Sequence, residues 1–156
     1  MSFRVRGLSP VPFRHLFGLS DAALRAHGAQ RCIADRTPGF PDRIELRDAQ
    51  PGESLLLLNH LHQPADTPFR ASHAIFVREG AESAYDAIDE VPEVLHRRVL
   101  SLRAFDAQHL MHAAELASGD DIAVTLRRLL ADPATAYIQA HYATRGCYAA
   151  HVERAD

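Results

Sequence analysis

Gln50-Pro51-Gly52 is a turn signal, and Glu53 to Gln63 after it reads as one long strand stopped by Pro64. Its first half carries Leu55-Leu56-Leu57-Leu58, apolar at consecutive positions. Alternate side chains of a strand point to opposite faces, so a run of this kind is apolar on both and belongs at a buried, central position in a sheet. A chain of 156 residues can build one sizeable core but not two comfortable ones, so a single domain spanning residues 1–156 is expected.

The remaining punctuation favours short strands joined by turns. Phe3 to Leu8 alternates Phe3 and Val5 against Arg4 and Arg6, the pattern of a first strand. Pro12 to Phe17 suits a short helical turn. Ser20 to Gly28 has a capping Ser20, an acidic Asp21 in the first turn and a glycine exit. Arg31–Ala34, Arg43–Leu46 and Ala74–Arg78 read as short strands, and Pro92–Arg98 as a turn of helix. Val99–Phe105 and Leu110–Leu116 suggest a hairpin around Asp106-Ala107-Gln108-His109. The clearest helix starts at Asp120 or Asp121, places Ile122, Leu126, Leu129 and Leu130 on one face, and ends before Pro133. Tyr137–Tyr142 and Cys147–Val152 form a closing hairpin. Residues 80–92 carry no clear pattern. The sum is an α+β fold, a mostly antiparallel sheet with two or three short helices.

Several chemistries are excluded. All 17 basic residues are arginine. Without a lysine amine there is no pyridoxal-phosphate Schiff base, no P-loop nucleotide site and no Ser–Lys dyad. No G-x-G-x-x-G loop supports a Rossmann dinucleotide, and the G-x-S-x-G, H-E-x-x-H and C-x-x-C patterns are absent. The 17 basic and 20 acidic residues give a net charge of −3 with no basic stripe, which argues against a nucleic-acid or anionic-membrane partner. The start of the chain lacks an apolar signal region, and the longest apolar run, Leu55–Leu58, is far too short to span a bilayer. A cytoplasmic location, with Cys32 and Cys147 reduced, is the expectation.

Three clusters hold chemistry. In Asn59-His60-Leu61-His62-Gln63-Pro64 the two imidazoles share one strand face, as a divalent metal site requires, and Asp66 is placed to complete the set. Around Ser72-His73, His73 can act as a base while Arg70 and Arg78, with Asn59, hold a small-molecule anion. In the closing hairpin, Cys147 can be a nucleophile activated by His141. Loop length decides that pairing: a three-residue loop sets His141 opposite Cys147, whereas a two- or four-residue loop pairs Tyr142 with Cys147 and turns His141 away. The functions these clusters permit are a small metal-dependent or acid–base enzyme, a non-catalytic ligand-binding or homodimeric module, and a cysteine-dependent enzyme or redox sensor.

Four stretches carry a likeness: Phe3-Arg4-Val5-Arg6-Gly7-Leu8, Leu56-Leu57-Leu58-Asn59 running into His62-Gln63-Pro64-Ala65-Asp66-Thr67-Pro68, Ser72-His73-Ala74-Ile75-Phe76-Val77-Arg78, and Gly146-Cys147-Tyr148-Ala149-Ala150. Through them the chain resembles, over nearly its full length, a bacterial family known only as domain of unknown function number 1203. The resemblance implies membership and no activity.

Overall fold

The structure, a computed structural model, describes residues 1–155. In chain order the strands are β1 (Phe3–Arg6), β2 (Gln30–Ile33), β3 (Ser54–Gln63), β4 (Ala71–Arg78), β5 (Asp86–Ile88), β6 (Leu100–Phe105), β7 (Met111–Ala117), β8 (Tyr137–Tyr142) and β9 (Tyr148–Arg154). The helices are α1 (Asp21–Ala26), α2 (Glu93–His96) and α3 (Asp121–Ala131), with a 3-10 turn at Val11–Leu16. The strands form a six-stranded sheet in the order β5-β1-β9-β8-β6-β7 and a three-stranded sheet in the order β2-β3-β4. Every strand pair is antiparallel, so the fold is α+β with short helices, as the sequence predicts. Among the described residues no helix is long and apolar enough to cross a membrane.

Helix α3 packs on one face of the large sheet. Ile122, Leu126, Leu129 and Leu130 meet Leu102, Ala104, Ile138, Ala140 and Val152, with Phe3 and Val5 from β1. Fully burying one such aliphatic side chain contributes about 1.5–3 kcal/mol, so this stripe holds a helix that would be marginal in isolation. Asp132 ends it in the extended conformation that a following Pro133 imposes. The small sheet brings Leu56, Leu58, Ile75 and Val77 to a second core, closed by Phe13, Leu16, Leu24 and Ile44 and joined by Tyr148 from the large sheet. Strand β3 is central in its sheet, as its apolar run requires. The cover on its other face is local: Leu55 is buried with Ala34 and Ala49 beside Phe40 and Phe76.

Two segments depart from expectation. Arg43–Leu46 is not a strand; Leu46 takes a left-handed φ of 49°, and the Asp42 carboxylate accepts from the amides of Ile44 and Glu45 at 3.2 and 2.7 Å. That local bonding competes with a ladder and turns the segment inward. Within residues 80–92, Asp86–Ile88 forms β5 along β1, and Arg4 clasps Asp86 at 2.6 and 2.5 Å. An edge strand of three residues leaves no periodicity to read.

Candidate functional site

The closing hairpin settles where the site can be. The Gly146 amide donates to the Tyr142 carbonyl at 2.7 Å, and the Tyr142 amide to the Cys147 carbonyl at 2.9 Å. Tyr142 and Cys147 therefore close the ladder around a four-residue loop, and Gly146 supplies its positive φ of 80°. One residue back, His141 opposes Tyr148. Alternation then sends His141 and Tyr148 to one side of the sheet, and Tyr142 with Cys147 to the other. His141 does not meet Cys147, which corrects the nucleophile–base pair read from the sequence.

On the His141 side, the end of β3 crosses β8. The Gln139 amide nitrogen donates to the His62 carbonyl at 2.8 Å, which fixes Oε1 toward His62 Nδ1 at 2.9 Å and His141 Nε2 at 3.1 Å. The other ring nitrogen of His141 lies 3.0 Å from the Gly146 carbonyl oxygen. His62 stacks on Tyr148 at 5.6 Å, and His60 and His141 reach the same ring at 5.7 and 5.8 Å. Burial, reinforced by Arg103, pushes His141 down to about 3. Burial also lowers His60 and His62. A neutral His141 has one N–H for two acceptors, so one of its two contacts lacks a proton.

On the opposite side a cavity of about 500 Å³ opens between the edge of β4, the loop around Phe40 and the hairpin. Its wall includes Phe40, Arg43, His73, Arg98, Tyr142 and Cys147, with the exposed Arg36 and Arg145. Arg43 is only 2% exposed. Its Nε donates to the Tyr148 carbonyl at 2.8 Å, Nη1 to the Pro41 carbonyl at 2.6 Å and Nη2 to Cys147 Sγ at 3.1 Å. No carboxylate among the described residues forms an ion pair with it. Asp42 is spent on three backbone amides, and Asp48 is taken by Arg98 at 2.6 Å and Arg97 at 3.4 Å. Burial pushes the Arg43 guanidinium down from its usual range, yet the group remains a cation at any physiological pH. Both Arg43 and Arg98 lie against the Tyr142 ring, at 4.9 and 5.2 Å. The Tyr142 hydroxyl is buried without a hydrogen-bond partner.

The proposed metal set does not assemble. His60 and His62 share a face as expected, but Asp66 sits exposed on the loop that Pro64 turns away from β3. Among the described residues no three His, Cys, Asp or Glu side chains are placed to hold an ion. Asn59, Arg70 and Arg78 do not converge either. Asn59 lines a separate groove with Asp21, Arg25 and Arg31, while Arg70 closes its own loop onto the Pro64 carbonyl. Arg78 is held by Glu45 at 2.7 Å. His73 does share the cavity wall with Cys147. The sequence reading missed Arg43, Arg98, Tyr142 and Gln139. The signal for Arg43 was faint: a lone arginine in an apparently alternating segment looks solvated.

Comparison with known proteins adds membership. The chain matches the family described as Protein of unknown function (DUF1203) over residues 39–154, and it belongs to that family. The matched span contains Arg43, Arg98, Tyr142 and Cys147. No curated protein and no solved structure matches it.

Proposed function

We propose that this DUF1203 protein binds a small molecule bearing a carboxylate or phosphate in the cavity around Arg43. The observation behind this reading is the buried guanidinium whose three contacts are two carbonyls and a sulfur. An ion of this kind costs several kcal/mol to bury and is ordinarily matched by an opposite charge. Arg36, Arg43, Arg98 and Arg145 line the cavity and no carboxylate does, which gives the wall an excess of positive charge. Arginine presents planar, paired donors suited to carboxylate and phosphate oxygens. A volume of about 500 Å³ is that of a small-molecule site, and the aromatic rings of Phe40 and Tyr142 supply apolar surface beside the cations. Both cysteines are free, in keeping with a reducing, cytoplasmic setting.

The test is ligand-induced stabilisation and chemical-shift perturbation with inorganic phosphate and succinate, against neutral 1,4-butanediol. Ligand at one hundred times its Kd raises stability by about 2.7 kcal/mol. The two anions are expected to stabilise the protein and shift signals of the Phe40 loop and the hairpin, and Arg98→Met is expected to weaken both effects. Indifference to both anions, or equal response to the diol, refutes the reading.

A further inference from the structure

We infer that Cys147 is a site of reversible S-thiolation, at which its sulfur exchanges with a low-molecular-weight disulfide whose carboxylates the cavity arginines hold. The inference rests on the anion-binding reading of the cavity and names the chemistry that the same site can perform. Cys147 lines the cavity with its Sγ 3.1 Å from Arg43 Nη2, and an N–H there faces the charge that develops on a reacting thiolate. Tyr142, 6% exposed with its hydroxyl unpartnered, lines the same cavity and leaves a buried donor for a ligand bound there.

Geometry narrows the reaction. His141, the nearest candidate base along the hairpin, is turned to the other face and occupied by Gln139 and Gly146. Acyl or amide transfer at Cys147 would need a proton delivered to a poor leaving group, and no side chain bonded to Sγ can give one. Thiol–disulfide exchange has no such need. The Cys147 thiolate attacks one sulfur of the ligand disulfide, a new S–S bond forms, and the ligand's own S–S bond breaks. The second sulfur leaves with the electron pair and takes up the proton that Cys147 released. The ligand disulfide is the oxidant, and the products are the mixed disulfide and one free thiol. The arginines hold the carboxylates of the incoming disulfide and stabilise the departing thiolate.

The experiment incubates the full chain with equal concentrations of oxidised glutathione, cationic cystamine or neutral hydroxyethyl disulfide. Intact mass gives the rate of modification, and peptide mapping its position. The expected result is one adduct, on Cys147, absent in Cys147→Ser and reversed by dithiothreitol. Oxidised glutathione is expected to react at least about tenfold faster than cystamine, the low end of the rate gain from a cleft of one charge sign. Arg98→Met and Arg145→Glu are expected to narrow that ratio. Adducts chiefly on Cys32, no adduct, or a preference for cystamine overturns the inference. If phosphate and succinate bind while Cys147 stays unmodified, exchange alone is refuted. If neither binding nor modification occurs, the cavity reading falls with it.

Discussion

Replacing His141 with glutamine should remove a large part of the protein's acid sensitivity. His141 is fully buried, and His62, His73 and Arg103 all oppose a positive charge on it. A base whose folded pKa is depressed binds its proton more readily in the unfolded chain. Its contribution is therefore complete above the unfolded value of 6.5 and is lost as pH falls toward the folded value of about 3. At about 1.36 kcal/mol per unit, the full loss is about 5 kcal/mol, of which about 2.5 kcal/mol falls between pH 7 and pH 4.5. Other groups act in neighbouring windows. Burial raises Asp42, which has the opposite sign, while Glu53 and Glu79, each lowered to about 2, lose their contributions only below about 4.5. His60 and His62 share the sign of His141. All of these remain in the His141→Gln variant, so the difference between the two proteins isolates one imidazole. The assay is urea denaturation followed by far-ultraviolet circular dichroism, since the chain has no tryptophan. Stability of the parent should fall by about 2.5 kcal/mol more than that of the variant between pH 7 and pH 4.5. Parallel curves would refute the reasoning. They would mean that the Gly146 carbonyl and Gln139 Oε1 hold His141 as an imidazolium, with both N–H groups bonded.

Three further outcomes follow from single contacts. Tyr142→Phe removes a buried hydroxyl that has no partner and should raise stability by about 1 kcal/mol in urea melts while weakening anion binding to the cavity. Gly7→Ala places a Cβ 2.0 Å from the Ile44 carbonyl oxygen, a backbone atom that cannot step aside; loss of 3 kcal/mol or more, at or above the top of the roughly 1–3 kcal/mol range for overpacking, is expected by denaturation. Glu79 accepts from Arg31 at 2.7 and 3.0 Å, from Ser54 and from the Gly18 amide, so Glu79→Gln should cost about 1–2 kcal/mol at neutral pH and almost nothing near pH 2, measured by the same melts.

What the sequence revealed was decided locally. Helix α3 and strand β3 lie within a residue of their expected limits, because a stripe of Ile122, Leu126, Leu129 and Leu130 and a run of four leucines each state their own burial. Ser20 caps α1 through the Ala23 amide as its residue type implied. The site was harder. His60 and His62 do share a face, but a bulge between Leu61 and Gln63 and the turn at Pro64 separate them from Asp66. Two of the three partners of Arg43, Tyr148 and Cys147, lie more than a hundred positions away, and Gln139 meets His62 across 77. Such contacts are set by how one sheet lies against the other, and no periodicity encodes that. The hairpin lies between these cases: the sequence stated the consequence of each loop length, and the turn at Gly146 selected one.

Strand β1 sits between β5 and β9, so residues 3–6 must wait until β9 is made before both neighbours are present. At roughly 5–20 residues per second, translation from Arg6 to β9 takes about 7–28 s. All three strands of the small sheet end by Arg78, so they can pair while the ribosome is still building the large sheet, with Tyr148 added to their core later. During that interval Phe3 and Val5, wholly buried in the finished protein, have at most β5 beside them and stand exposed to the aggregation that chaperones exist to prevent. Birth order and spatial order thus conflict at a single short strand, making residues 3–6 a timing problem for the cell as much as a packing element of the fold.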